Sequence, residues 1–289
     1  MGSPTSRSGV VAVLVPVAFD LYFGLVLACV TDAAHEHGLL LSIASTQHEH
    51  ARELELLEEL AASTDGAILI LPEASGAELE RAVPNGYPLA VVDPRVPVGD
   101  RIPSVAAAYR RGAYHAIEHL LALGHRRIGV ISGPPGYAAS VERAAGCREA
   151  LADAGLTLDP DLWVEADFEI GPGAAGAAQL LDVADPPTAI FGCNDPIACG
   201  ALRAARERGL RVPEDVSIVG FDDFPLAAAT TPALTTIRQP MAEIGRAGVG
   251  LIVRQLGGRQ SRGPQLELPT RLIVRESTGP APARREPER

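Results

Sequence analysis

Two places in this sequence set paired polar side chains directly after a short apolar run. Residues 216–220 are apolar and rich in β-branched types, and Phe221-Asp222-Asp223 follows, with Pro225 close behind. Ala189-Ile190-Phe191 leads in the same way to Asn194-Asp195. Such runs read as buried strands, and open α/β sheets bind ligands at the carboxyl ends of their strands. Carboxylates and amides held there accept and donate hydrogen bonds, which suits a ligand carrying many hydroxyl groups. A purely structural account of Asp195 and Asp223 competes, because each is also a good cap for the helix that follows. A glycosidase needs two carboxyls facing one bond. Adjacent residues such as Asp222 and Asp223 generally point apart, so hydrolysis is the weaker reading.

Other chemistry-like patterns carry less. His115-Ala-Ile-Glu-His119 spells H-x-x-E-H, a zinc pattern on a helix, but no third ligand lies near it in sequence. The pair is expected to be solvated or capping, and His35-Glu-His37 and His48-Glu-His50 to lie on the surface. Gly171 to Gly176 spells G-x-G-x-x-G, yet the preceding stretch alternates with Glu165, Asp167 and Glu169 where a dinucleotide fingerprint wants a buried strand. A tight turn opening a helix is the expected role. Cys29, Cys147, Cys193 and Cys199 show no paired metal spacing and read as reduced thiols. No G-x-S-x-G elbow occurs. No metal, cofactor or catalytic set is therefore expected, and the chain is not read as an enzyme.

The elements that would position these residues follow from composition and periodicity. The chain has 289 residues, 47% hydrophobic and 21% charged, with 4% aromatics. That is an ordinary globular composition whose core must be built from Ala, Leu, Val and Ile. The net charge of −11 argues against this chain wrapping nucleic acid unaided, since that needs clustered basic residues. No run resembles a secretory signal or a membrane span, so a cytoplasmic location is expected. Strands are expected at 10–15, 39–44, 66–71 and 89–92, alternating with helices at 21–37 and 52–62. The pattern restarts with a helix at 109–123, strands at 128–131, 162–166, 188–191 and 216–220, and helices at 140–154, 174–183 and 196–208. A late helix at 241–256 and strand segments within 265–274 close the series. Such alternation implies βαβ units and parallel sheets.

Four runs resemble the LacI/GalR transcriptional regulators: His119 to Ile128, Val212 to Pro225, Leu234 to Pro240, and Leu268 to Thr278. The resemblance covers residues from about 7 to 278. It implies an α/β, periplasmic-binding-protein-like (type I) fold of two Rossmann-like lobes with a ligand cleft between them. It also implies a small effector, dimerisation, and allosteric control of operator binding. The expected divisions are a linker remnant at 1–9, a first lobe at 10–104 plus 240–264, a second at 105–239 plus 265–278, and a disordered tail at 279–289. The family's helix-turn-helix and hinge helix are not seen before Val10, so the chain looks like a repressor's effector domain. A solute-binding protein of the same fold is the alternative.

The resemblance also implies ligand-binding residues. Asp20-Leu21-Tyr22-Phe23 stands where the family has Asn-Pro-Phe-Phe, so Asp20 departs from the pattern while Tyr22 and Phe23 are expected to face the ligand. Asp93 matches a strand-end carboxylate, Arg143 an arginine that donates to ligand oxygens, and Phe168 an often aromatic position. Asn194 and Asp222 match the polar pair described above, and Gln239 matches a hinge residue. Carboxylates and a planar guanidinium orient sugar hydroxyls through charge-assisted bonds, and aromatic faces cover the C–H patches of a sugar or the plane of a base. A sugar, polyol or nucleoside effector is expected.

Overall fold

The computed structural model describes residues 8–258 and 263–282. The chain divides into two compact units, Met1–Ala107 with Pro240–Leu268, and Ala108–Gln239 with Pro269–Arg289. The chain therefore passes between units three times, after Ala107, Gln239 and Leu268.

In the first unit, β1 (Val10–Val15), β2 (Leu40–Ser45), β3 (Ala67–Ile70), β4 (Leu89–Val92) and β5 (Ser104–Ala107) alternate with helices. The helices are α1 (Leu21–Glu36), α2 (His50–Ala61) and the short α3 (Gly76–Arg81). The sequence Val-Val-Ala-Val-Leu-Val of β1 is apolar along its whole length because helices cover both faces of a parallel sheet. Its core includes Leu14, Leu57, Leu69, Leu79 and Val91, all buried. Gly38, at φ +66°, takes the left-handed conformation that ends α1.

The second unit repeats the scheme with α4 (Tyr109–Ala122), β6 (Ile128–Ser132), α5 (Ala138–Asp153), β7 (Trp163–Glu165), α6 (Ile170–Leu181), β8 (Ala189–Gly192), α7 (Asp195–Glu207), β9 (Ser217–Asp222), α8 (Pro225–Ala229) and β10 (Thr235–Arg238). Three elements then follow, α9 (Met241–Leu256), β11 (Gln265–Leu268) and β12 (Arg271–Ile273). The sheet orders are β11-β5-β4-β3-β1-β2 and β12-β10-β9-β8-β6-β7. All their pairings are parallel except β10 with β12.

The structure corrects the expected divisions. Residues 105–107 and 265–268 belong to the first unit, because β5 and β11 pair in register from Gln265 opposite Ser104 to Leu268 opposite Ala107. The Gln265 amide reinforces this by donating to the carbonyls of Gly99 and Ile102. Pro269, which has no N–H, ends the pairing. The expected tail is also ordered at its start. Gly279 N–H donates to Ser217 Oγ, its carbonyl accepts from the His125 ring, and Ala281 N–H donates to Leu123 O. The rest of that tail, 283–289, lies outside the described residues. Of the expected linker at 1–9, residues 1–7 lie outside them too, and Gly9 N–H donates to the Asp65 carboxylate at 2.7 Å.

Helix pairs close on glycines. A Cβ on Gly146 of α5 would stand 2.0 Å from Arg110 O on α4, and one on Gly200 of α7 2.4 Å from Ala174 N on α6. A Cβ on Gly173 of α6 would come within 2.6 Å of the Ile197 backbone, and one on Gly245 of α9 within 2.6 Å of Cys29 on α1. The Gly171–Gly176 motif is thus not a turn: it lies wholly inside α6, where small residues let two backbones approach. Among the described residues, no helix is long and apolar enough to cross a membrane.

Candidate functional site

In the first unit, polar residues gather where β1, β2 and β4 end. Asp20 Oδ1 accepts from the N–H groups of Tyr22 (2.8 Å) and Phe23 (3.3 Å) and so caps α1. The cap fixes the first turn, from which the Tyr22 hydroxyl donates to Asp93 Oδ2 at 2.7 Å. The Tyr22 and Phe23 rings meet edge to face at 5.5 Å. Asp93 is buried, with φ at +53°. Beside this group Glu73 takes the Arg95 guanidinium and His48 Nδ1, and the His48 ring lies 6.2 Å from Phe23. Thr46, at the end of β2, is buried and its Oγ1 has no hydrogen-bond partner among the described residues.

In the second unit, β9 delivers Asp222 and Asp223, at φ +117° and +60°. Asp222 Oδ1 accepts from Arg143 Nη2 at 3.2 Å and from Gln239 Nε2 at 2.6 Å, and all three side chains are buried. Arg143 Nη1 also donates to the carbonyl of Cys193. Its guanidinium carbon stands 3.9 Å from the centre of the Phe221 ring and 4.8 Å from that of Tyr109. Stacking and two hydrogen bonds together fix the plane of the guanidinium. Asp223 points elsewhere, to Arg238 and Arg275. The two adjacent carboxylates do therefore diverge.

Asn194, not Asp195, caps α7: its Oδ1 accepts from Ile197 N–H at 2.8 Å, while its Nδ2 donates to Phe168 O. Asp195 is fully buried, accepting from Phe224 N–H and the Thr236 hydroxyl. Burial, then the nearby Asp222 carboxylate, pushes its pKa well above the ordinary carboxylate value. Capping the following helix was one of the two accounts offered for Asp195 and Asp223, but Asn194 caps α7, and α8 has Phe224 at its N-cap with no side-chain cap bond. The Phe168 ring covers Gly133, where a Cβ would come within 2.3 Å of it, and Tyr137 meets the ring edge to face at 5.3 Å. Two buried oxygens in this unit, Gln239 Oε1 and Ser140 Oγ, have no hydrogen-bond partner among the described residues. The Gln239 orientation is set by its neighbour, since only the amide nitrogen can donate to the Asp222 carboxylate.

Non-glycine residues in the left-handed region occur among the described residues at Gln47, His48, Leu71, Asp93, Asp222 and Asp223. All six follow or end a strand at its carboxyl end. Such conformations cost on the order of 1–3 kcal/mol each and collect where function over-determines the backbone.

The family model for a periplasmic binding protein-like domain matches residues 117–278. The HTH-type transcriptional regulator DegA of Bacillus subtilis (strain 168) is 34% identical over 280 residues, which cover 95% of this chain and 82% of DegA. A transcriptional regulator CelR–cellobiose complex superposes with a TM-score of 0.85 at 32% identity, over 95% of this chain and 86% of that one. The lac repressor dimer bound to operator and an anti-inducer has a TM-score of 0.85 at 27% identity, over 95% and 96%. The chain belongs to the LacI family of transcriptional regulators.

For this LacI-family chain, the structure joins Arg143, Asp222 and Gln239 through direct hydrogen bonds, links Asn194 to Phe168, and ties Asp20, Tyr22, Phe23 and Asp93 together around the start of α1. Asp20 and Asn194 spend polar atoms on helix caps, a use the sequence analysis did not assign to either. Sequence reasoning missed Ser140, Thr46, Tyr109 and the Glu73–Arg95–His48 group. Ser140 lies three residues before Arg143 in the run already singled out, and Arg95 two after Asp93. Tyr109 and Phe221 had no signal, because an aromatic that stacks on arginine reads as core. The histidines of the H-x-x-E-H pattern have structural partners, Glu118 for His115 and Thr278 for His119.

Proposed function

We propose that this chain is the effector-sensing, dimer-forming core of a cytoplasmic LacI-type repressor, and that Asp20, Tyr22, Phe23, Asp93, Arg143, Phe168, Asn194, Asp222 and Gln239 make up its effector contacts. The observation that carries the reading is the buried Arg143–Asp222–Gln239 set with the partnerless oxygens of Gln239 and Ser140 beside it. A buried polar atom left without a partner costs about 1–3 kcal/mol, and a ligand that supplies a donor recovers it. Sugar and nucleoside hydroxyls are such donors, and the similar CelR structure holds cellobiose. Effector binding favours the conformations that hold it best and so shifts the population that engages operator. Operator DNA is the second partner, as for the lac repressor dimer. With a net charge of −11, the effector core itself is poorly suited to hold DNA, and operator contact is assigned to a helix-turn-helix module separate from it.

A thermal-shift screen against monosaccharides, disaccharides, sugar phosphates and nucleosides tests this. A ligand at 100 times its Kd stabilises by about 2.7 kcal/mol, and the shift should vanish in Asp222→Ala and in Arg143→Ala. A hit that survives both substitutions would place the effector elsewhere. A broad panel without any hit would overturn the sensor reading.

A further inference from the structure

The two ends of α5 serve different places. Near its start Arg143 joins the polar set at the carboxyl ends of the strands. Near its end Arg148 and Ala152, one turn apart on the same face, border a separate cavity at the amino end of β7. Its other walls are Leu156, Thr157, Leu158, Pro160 and Trp163, and its volume is about 500 Å3, within the range of small-molecule sites.

The walls are preformed. Gly155, at φ +70°, ends α5, and Leu156 N–H returns to Leu151 O. Asp159 accepts from Arg127 Nη1 at 2.7 Å and from Asp161 N–H at 3.0 Å. The loop that carries Leu156 and Leu158 is thus tied at both ends, with both leucines half-buried.

The charged and aromatic polar groups of the cavity are donors. The guanidinium carbon of Arg148 stands 4.5 Å from the centre of the Trp163 ring, and this stacking fixes its plane. Neither that guanidinium nor Trp163 Nε1–H has a hydrogen-bond acceptor among the described residues, and both groups can only donate. The acids nearest Arg148 on α5 are engaged with α4 instead: Glu149 accepts from Arg110 at 2.8 Å, and Asp153 from the Tyr114 hydroxyl at 3.0 Å. Among the described residues, none that lines the cavity is acidic. Arg148 itself is exposed, so a ligand can reach it from solvent. An oriented, uncommitted cation beside an apolar wall fits a molecule with an anionic acceptor at one end and an apolar body at the other. We propose that this cavity is a second binding site, independent of the effector contacts, for a small carboxylate with an aromatic or branched aliphatic body. The carboxylate pairs with Arg148, and the body lies against Leu156, Leu158 and Pro160.

Trp163 is the sole tryptophan of the chain, so its fluorescence reports on this cavity. The test titrates the full chain with benzoate, phenylacetate and isovalerate, and with benzamide, phenylacetamide and isovaleramide, and repeats each titration by calorimetry. At least one carboxylate should change the emission saturably and bind about tenfold or more tightly than its amide, the scale of one hydrogen bond to a charged group. Acetate and inorganic phosphate, which carry charge with little or no apolar body, should bind more weakly than that carboxylate. Arg148→Gln should erase the preference for acid over amide, and Leu158→Asp should abolish binding in a chain that still melts cooperatively. Equal affinity for acid and amide, or for acetate or phosphate and the larger acids, overturns the assignment. So does a response unchanged in both variants, or one that Gln239→Ala removes, which would move the binding to the effector site. The absence of any saturable response, in a chain shown to be folded, overturns it as well.

Discussion

His125 is fully buried, and its ring holds three elements together. Nδ1 lies 2.9 Å from Thr188 Oγ1, and Nε2 lies 3.1 Å from both Ser217 Oγ and the Gly279 carbonyl. A proton on Nε2 serves the carbonyl, so the neutral ring suffices and a second proton would charge a buried group. Burial accordingly pushes its pKa below the ordinary value of 6.5. The sign follows from linkage: below pH 6.5 the unfolded chain takes up a proton that the folded chain refuses, so stability falls with pH in that window. His125→Asn should be destabilising at pH 8, with a penalty that shrinks as the pH falls from about 7 towards 5. Thermal melts of both proteins across that range check this, and a penalty independent of pH would contradict it. At the same scale, Asp93 and Asp222 are held in strained backbone by the sheets beneath them, which aims their carboxylates at Tyr22 and Arg143.

At the scale of elements, glycine decides how helices pair. Alanine is the better helix former in the abstract, yet Gly146, Gly173, Gly200 and Gly245 sit mid-helix because a Cβ would collide with a neighbouring backbone. Gly200→Ala should cost about 3 kcal/mol, the range of an overpacked core. Gly250→Ala on α9, where nothing lies within 4 Å of the added carbon, should be neutral or slightly stabilising. Chemical denaturation of the two variants separates the accounts. Equal behaviour would mean that helix propensity, not contact, governs these positions.

At the scale of the whole molecule, the three passages of the chain between units make the first unit depend on residues that come late in the sequence. Strand β11 completes its sheet beside β5, and α9 buries Ile244, Val249, Leu251 and Ile252 in it. Exposing four such side chains forfeits about 6–12 kcal/mol at 1.5–3 kcal/mol each, as much as a typical domain's total stability. A fragment ending at Ala107 should therefore lack cooperative unfolding, while one in which residues 240–268 are rejoined to it by a linker should regain it. Near-ultraviolet circular dichroism and melting of the two fragments decide the matter. A cooperative melt of the shorter one would show that α9 is dispensable.

The sequence determined the alternation of strand and helix, the parallel sheets, the family, and the strand ends at which its polar residues stand. These are local properties: periodicity, β-branched runs, and residue types that keep their meaning in isolation. Only tertiary structure decided that β11 joins β5 while β12, three residues later, joins β10, because neither short segment carries a preference that names its partner. Only packing made α6 a helix through its glycines and gave Phe221 and Tyr109 to Arg143. Nor could spacing have shown that Asp222 and Asp223, side by side, serve different arginines. Their backbone turns at φ +117° and +60°, and that turn sends one carboxylate to Arg143 and Gln239 and the other to Arg238 and Arg275.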